Sequence, residues 1–231
     1  MDARSYLTKT GLTVDVSAVR EAQQVLWGLL DEAKKASLPA TPTALNGLYQ
    51  YKVPKLSPDG TCSLHQDLDP TPYDLGKVLG GRSVQTSFAL LTLDALVESV
   101  QAQTGADWLG LYQVRALPSG PTLVKLAYRG AESRPEFPLT EAFAQRSNNA
   151  AVGLSGQARV LQDVAAHRAS GGAYYECDPK VRSEVCLPVL DANGKVVGIL
   201  DAESTKQGYF TPQRLALLVS LATECPSHLP R

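Results

Sequence analysis

Between Tyr174 and Ser204 the chain reads YYECDPKVRSEVCLPVLDANGKVVGILDAES. This stretch holds Cys177 and Cys186 together with Glu184, Asp201 and Glu203. A thiolate is a nucleophile and a carboxyl group exchanges protons, so the combination has the parts of a reactive site. Strand alternation puts Glu184 with Cys186 on one face, and Asp201 with Glu203 on one face of the next strand. A sheet would ordinarily carry apolar side chains there. Carboxylates on a sheet face beside a loop cysteine point to a small-molecule pocket. Trp108 and Tyr112, with Gly110 between them, share a face of an earlier strand. By spacing alone they read as core packing, the usual place for aromatic residues in strands.

Other reactive residue types form weaker patterns. Cys62 stands far from the other cysteines, in GTCSLHQ. No CxxC pair occurs, and His65, His167 and His228 lack ligand spacing, so no metal site is expected. Asp67, Asp69 and Asp74 cluster without the glycine and terminal Glu of an EF-hand loop. Gly153-Leu154-Ser155-Gly156 reads as a tight turn opening a short helix, and it lacks the Lys and glycine spacing of a phosphate loop.

The elements that must position these residues follow from periodicity. A helix is expected from about Val14 to Leu38, with Val16, Val19, Val25, Leu26, Leu29 and Leu30 on one stripe, packing on its own domain or on a second copy. Pro39 to Arg82 reads as an extended, Pro-rich arm with a short strand from Leu48 to Val53. A second helix runs from Ser83 or Thr86 to Thr104, with Ala89, Leu93, Leu96, Val97 and Val100 on its inner face. Asp107 to Arg115 and Thr122 to Tyr128 form a hairpin around Pro118-Ser119-Gly120. A loop with a short helix near Glu141–Ala144 follows, with Gln145 to Asn149 as loop, then a short strand from Val160 to Val164. Ser183 to Val189 and Lys195 to Glu203 form a second hairpin, turned by Asp191-Ala192-Asn193-Gly194. On the return strand, Val197, Ile199, Asp201 and Glu203 are expected on one face. Thr211-Pro212 caps a last helix carrying Leu215, Leu218, Val219 and Ala222. This order predicts an α+β fold, an antiparallel sheet with helices packed on it, preceded by an N-terminal helix and arm. The division is residues 1–82 as helix and arm, 83–226 as the domain and 227–231 as a tail.

Composition limits the function classes. The chain has 231 residues, 44% of them hydrophobic, with 22 Lys and Arg against 23 Asp and Glu. The basic residues are scattered, so no nucleic-acid partner is expected. No apolar run suits a membrane span, and MDARSYLTKTG lacks a signal-peptide pattern, so the expected compartment is the cytoplasm.

The element order from Ser83 onward resembles a GAF domain, and its motifs resemble one branch, the free methionine-R-sulfoxide reductases. Trp108 and Tyr112 in ADWLGLY match a Trp and a Tyr on an early strand of that family. Tyr175-Glu176-Cys177-Asp178 matches its Ile-Ala-Cys-Asp, and Ser183, Glu184 and Pro188 match the strand that follows. Gly198 to Ser204 matches Gly-Val-Leu-Asp-x-Asp-Ser, and Gly208 to Thr211 matches Gly-x-Phe-Thr. The resemblance implies that Cys177 attacks the sulfoxide sulfur. It implies that Glu184, Asp201 and Glu203 bind the substrate ammonium, with Glu184 and Glu203 among the catalytic groups that supply the oxygen's proton. Trp108 and Tyr112 would wall the pocket around the thioether methyl. The implied ligand is a free amino acid sulfoxide. No bound cofactor is implied, and an external thiol such as thioredoxin or glutathione would serve as reductant.

Three clustered carboxylates repel one another, so at least one should have a raised pKa and act as an acid. An ammonium ion would relieve that repulsion and favour an amino acid over a peptide. Lys180 and Arg182 are the nearest cations in sequence able to help the thiolate. The sequence also departs from the family. Ser155 stands where the family has a cysteine in a Gly-Val-Cys-Gly turn, and 130–135 lacks another family cysteine. Cys186, Cys62 or an external thiol must then resolve the sulfenic acid. Two other readings are a non-catalytic GAF module that binds a small ligand or senses redox state through Cys177, and a protein whose arm and first helix serve dimerisation, as a homodimer.

Overall fold

A six-stranded antiparallel sheet separates two unlike packing faces. The structure, a computed structural model, describes residues 1–35, 42–57, 62 and 67–231. In chain order the elements are α1 (Ala3–Thr10), α2 (Val16–Lys35), α3 (Pro42–Tyr49), β1 (Gln50–Tyr51), β2 (Tyr73–Asp74), α4 (Leu75–Val78) and α5 (Val84–Thr104). They continue with β3 (Trp108–Leu117), β4 (Gly120–Arg129), β5 (Glu136–Pro138), α6 (Glu141–Ala144), α7 (Asn148–Ser155), β6 (Arg159–Leu161) and α8 (Val164–Ala169). Last come β7 (Ser183–Leu190), β8 (Val196–Ser204), α9 (Pro212–Glu224) and a 3-10 turn at Cys225–Ser227. The sheet order is β5-β4-β3-β8-β7-β6, and β1 pairs with β2 apart from it. This is the expected α+β fold with an antiparallel sheet.

One face of the sheet is covered by α1, α2, α5 and α9. Alternation delivers Leu109 and Leu111 from β3, Val185, Leu187 and Val189 from β7, and Leu200 and Ala202 from β8 into a single apolar core. Leu111 pairs with Leu200, and Leu200 with Leu187, so a leucine row crosses three strands. The α2 stripe is Val19, Ala22, Leu26 and Leu30, packed into this same core. That helix therefore packs on its own chain, while Val25 is 50% exposed. Its expected end at Leu38-Pro39 lies outside the described residues, as do His65 and the Asp59-Gly60 turn signal.

Local chemistry sets the helix ends. Ser83 caps α5 in a capping box with Thr86, and Leu90, rather than Ala89, joins Leu93, Leu96, Val97 and Val100 inside. Thr211 caps α9, with Pro212 at its first position.

Several expectations need correction. A separate helix, α1, precedes α2, capped by Asp2 and closed by Gly11 in the left-handed conformation. The expected strand from Leu48 to Val53 is mostly helix, since α3 reaches Tyr49 and only Gln50 and Tyr51 are strand. The expected loop from Gln145 to Asn149 already contains the start of α7, because the Ser147 hydroxyl accepts from the Ala150 N–H. Gly153 to Gly156 closes that helix instead of opening one, with Gly156 at φ 68. The strand expected from Val160 to Val164 stops at Leu161, and Asp163 caps α8. Val197 packs with the helix-covered core, near the β7–β8 irregularity at Val189/Leu190. Among the described residues, no helix is long and apolar enough to cross a membrane, and no group of His, Cys, Asp or Glu is arranged to hold a metal ion.

Candidate active site

The opposite face of the sheet carries the predicted reactive residues, and they meet in one cavity. Trp108, Tyr112, Cys177, Glu184, Asp201 and Glu203 all line it. Strand register explains the convergence. Trp108 on β3 pairs with Glu203 on β8, which pairs with Glu184 on β7. Two residues along, Gly110 pairs with Asp201, which pairs with Cys186. Gly110 leaves the space into which the Trp108 indole folds, since a Cβ there would stand 2.0 Å from a ring carbon. The Trp108 Nε1 donates to the Ala131 carbonyl at 3.0 Å, and the Tyr112 hydroxyl to the Arg134 carbonyl at 3.1 Å. Both walls are thereby tied to the loop after β4.

Two asparagines from the start of α7 reach the acids. Asn148 Nδ2 donates to Glu184 Oε1, and Asn149 Nδ2 donates to Asp201 Oδ2 at 2.9 Å. Glu184 and Asp201 are each 3% exposed. Burial raises the pKa of all three acids, and their mutual repulsion raises Asp201 and Glu203 further. Glu203 is pushed up to about 8. Asp201 Oδ1 and Asn149 Oδ1 are buried with no hydrogen-bond partner among the described residues. Each is a buried acceptor short of a donor, on residues that line the cavity.

Cys177 sits on the loop between α8 and β7, with its Sγ 3.4 Å from Cys62 Sγ. The Tyr175 hydroxyl donates to Cys62 Sγ at 3.6 Å and accepts from Arg134 Nη1 at 2.8 Å. Lys125 is wholly buried, donating to the Ser133 carbonyl and hydroxyl at 2.8 Å each. Its Nζ lies 4.0 Å from the Tyr128 ring centroid. Burial lowers the Lys125 pKa to about 7, against the pull of both thiols. The hydrogen bond to Cys62, burial and the neighbouring acids push the Cys177 thiol well up. Cys62 is brought down to about 7 by its hydrogen bonds to Cys177 and Tyr175, with help from Arg134 and Lys125. The cations that act on the thiol pair are thus Arg134 and Lys125. Of the two cations expected in that role, Lys180 lines a cavity together with Cys62 and Cys177, whereas the Arg182 guanidinium donates to the Pro179 and Val181 carbonyls.

The GAF domain family model matches residues 90–227, more than half of the 231-residue chain. The chain belongs to the GAF domain family. No curated protein sequence matches it. Among solved structures, this GAF domain is similar to the type II free methionine-R-sulfoxide reductase from Thermoplasma acidophilum. The identity is 23% and the TM-score 0.53, over 62% of this chain and 94% of that one. It is also similar to the free methionine-R-sulfoxide reductase from Neisseria meningitidis in complex with its substrate, at 22% identity and TM-score 0.49, over 66% and 84% of the two chains. A third likeness is to the GAF domain of the Acinetobacter phosphoenolpyruvate-protein phosphotransferase, at 16% identity and TM-score 0.48, over 66% and 85%. At 23% identity the likeness to the Thermoplasma structure shows the fold.

Within this GAF domain the remaining cysteines differ in placement. Cys186 is 0% exposed and packs among Trp108, Tyr112 and Ile199, beneath the cavity. Cys225 lies in the helix-covered core. Ser155 donates to the Ala151 carbonyl at the end of α7 and does not line the cavity. Sequence reasoning missed Asn148, Asn149, Arg134 and Lys125. The only signals were the Ser147-Asn148-Asn149 cap pattern and a lysine at an inward position of an apolar strand, TLVKLAY.

Proposed function

We propose that this GAF domain reduces the R-sulfoxide of free methionine, with Cys177 as the attacking thiol. The observation that carries the reading is the pair of orphaned acceptors, Asp201 Oδ1 and Asn149 Oδ1, set among three buried acids beside a thiol. A ligand ammonium would satisfy both acceptors and relieve the repulsion among the acids. An amino acid carries that group on its α-carbon, where a peptide does not. Glu203, protonated below about pH 8, is the donor to the sulfoxide oxygen. Glu184, fixed by Asn148, shares the ammonium and proton duties with Asp201 and Glu203. Trp108 and Tyr112 wall the thioether methyl, and an aromatic face also favours nearby positive charge. The site needs no bound cofactor. An external thiol such as thioredoxin or glutathione returns the enzyme to its reduced form.

The setting of Cys177, in a cavity with Asp201 and Glu203 and 3.4 Å from a second thiol, favours a second reading. The Cys177 thiol is pushed up, so at rest it is protonated and weakly nucleophilic. A module of this kind would bind the amino acid, or sense an oxidant, without turnover. The two readings separate when the protein is incubated with free methionine sulfoxide under thioredoxin, glutathione or dithiothreitol, beside Cys177→Ser. Methionine formed by the wild type alone supports the reductase. Calorimetric binding of the sulfoxide with no methionine under any reductant supports the binding module.

A further inference from the structure

Cys177 is a wall shared by two cavities. One holds the acids, and the other is lined by Cys62, Pro54, Leu68, Ser133 and Lys180. Cys62 is far from Cys177 in sequence, yet it is 4% exposed and held by a β-bridge to Leu56. The groups around the two sulfurs are divided. The Tyr175 hydroxyl, backed by Arg134, points at Cys62 Sγ, while Glu203 and Asp201 stand on the side of Cys177. The Tyr175 hydroxyl directed into Cys62 Sγ stabilises a thiolate there, and a thiolate at Cys62 accepts the Cys177 hydrogen across the 3.4 Å gap.

We propose that Cys62 serves Cys177 twice, first taking its proton as it attacks and then closing a Cys62–Cys177 disulfide with it. The identity of the oxidant rests on the reductase reading above, whereas the pairing itself needs only an oxidised Cys177. In the first step Cys177 Sγ bonds to the sulfoxide sulfur and its proton passes to the Cys62 thiolate. The protonated Glu203 gives its proton to the sulfoxide oxygen. The resulting hydroxyl then moves to Cys177 as the new sulfur–sulfur bond and the sulfur–oxygen bond break, which releases methionine and leaves Cys177 sulfenic acid. In the second step Cys62 Sγ attacks Cys177 Sγ, and hydroxide leaves with the Cys62 proton as water. The sulfoxide sulfur gains two electrons, one from each cysteine. The sulfurs close from 3.4 Å to the bonded length of about 2.0 Å. The second cavity opens onto both sulfurs, so an external thiol can attack the disulfide there while the acid cavity takes substrate. The lowered pKa of Cys62, about 7, agrees with a thiolate base at neutral pH.

The test oxidises the full chain with stoichiometric hydrogen peroxide, and separately with free methionine sulfoxide, in the presence of dimedone. Peptide mapping and methionine assay follow. The expected result is a Cys62–Cys177 cross-link in both arms for the wild type and for Cys186→Ser. Cys62→Ser should instead carry dimedone on Cys177, with its single-turnover rate lowered about 10²-fold. A peroxide-driven cross-link without any methionine would uphold the pairing and overturn the reductase reading. Methionine formed with dimedone on wild-type Cys177, or with a cross-link to Cys186, would overturn the pairing and leave the reductase reading standing. An undiminished single-turnover rate in Cys62→Ser would overturn the base role.

Discussion

The two faces of the central sheet are made by the same strands and ordered by opposite means. On the helix-covered face, Leu111, Leu187 and Leu200 pack into one apolar cluster, and their burial stabilises the fold. On the other face, Glu184, Asp201 and Lys125 are just as buried, and each costs desolvation that its partners offset only in part. Orphaned Asp201 Oδ1 and Asn149 Oδ1 mark where compensation stops. Alternation therefore lets one hairpin, β7–β8, serve stability with the odd positions of β7 and the even ones of β8, and chemistry with Glu184, Asp201 and Glu203 on the other side. A site this unfavourable persists because the opposite face holds the backbone in place.

The comparison is broken most severely by exchanging what each face supplies. Leu200→Ala should lower unfolding free energy by about 2–5 kcal/mol while leaving turnover per folded molecule intact. Chemical denaturation together with activity normalised to folded protein checks this. Loss of activity without loss of stability would mean the faces are not separable.

Glu203→Gln comes next. It removes the proton donor and should slow methionine formation by about 10²-fold, read in single-turnover assays. It also has a signed effect on stability. The folded-state pKa of Glu203, about 8, lies above its ordinary 4.5. Between those values the folded protein holds a proton that the unfolded chain has released. Its contribution is therefore present below about pH 4.5 and lost as pH rises through about 8. The variant should flatten that part of the stability–pH curve, and an unchanged slope would place the carboxyl in a more solvated setting. The wild-type rate should rise through about pH 7 as Cys62 ionises and fall above about pH 8 as Glu203 does.

Lys125→Met is the mildest change. Without that cation, Cys62 should hold its proton more tightly, and its alkylation near neutral pH should slow by up to about 10-fold, the span of one pKa unit. The lysine's depressed pKa, about 7 against 10.5, means wild-type stability is lost as pH falls through about 7. The variant should lack that loss, which thermal melts across pH would show.

The sequence exposed the faces well because they depend on period-two alternation and on end signals such as Ser83 and Thr211-Pro212. Glu184, Asp201 and Glu203 could be placed together for the same reason. Residues held by non-local contacts were not legible. The polar run at 145–149 hid the start of α7, so Asn148 and Asn149 went unnoticed as partners of the acids. Lys125 had no signal beyond its inward place in TLVKLAY, and the partners that hold it, Ser133 and the Tyr128 ring, are set by the folded loop. Cys62 was named as one of two resolving candidates, but no local pattern could bring it across 115 residues to Cys177.

The most direct measurement is a single turnover of the reduced protein with free methionine-R-sulfoxide and no external reductant. Stoichiometric methionine from the wild type, and none from Cys177→Ser of equal melting temperature, is the predicted result. Methionine at the level of buffer alone from both proteins would contradict it.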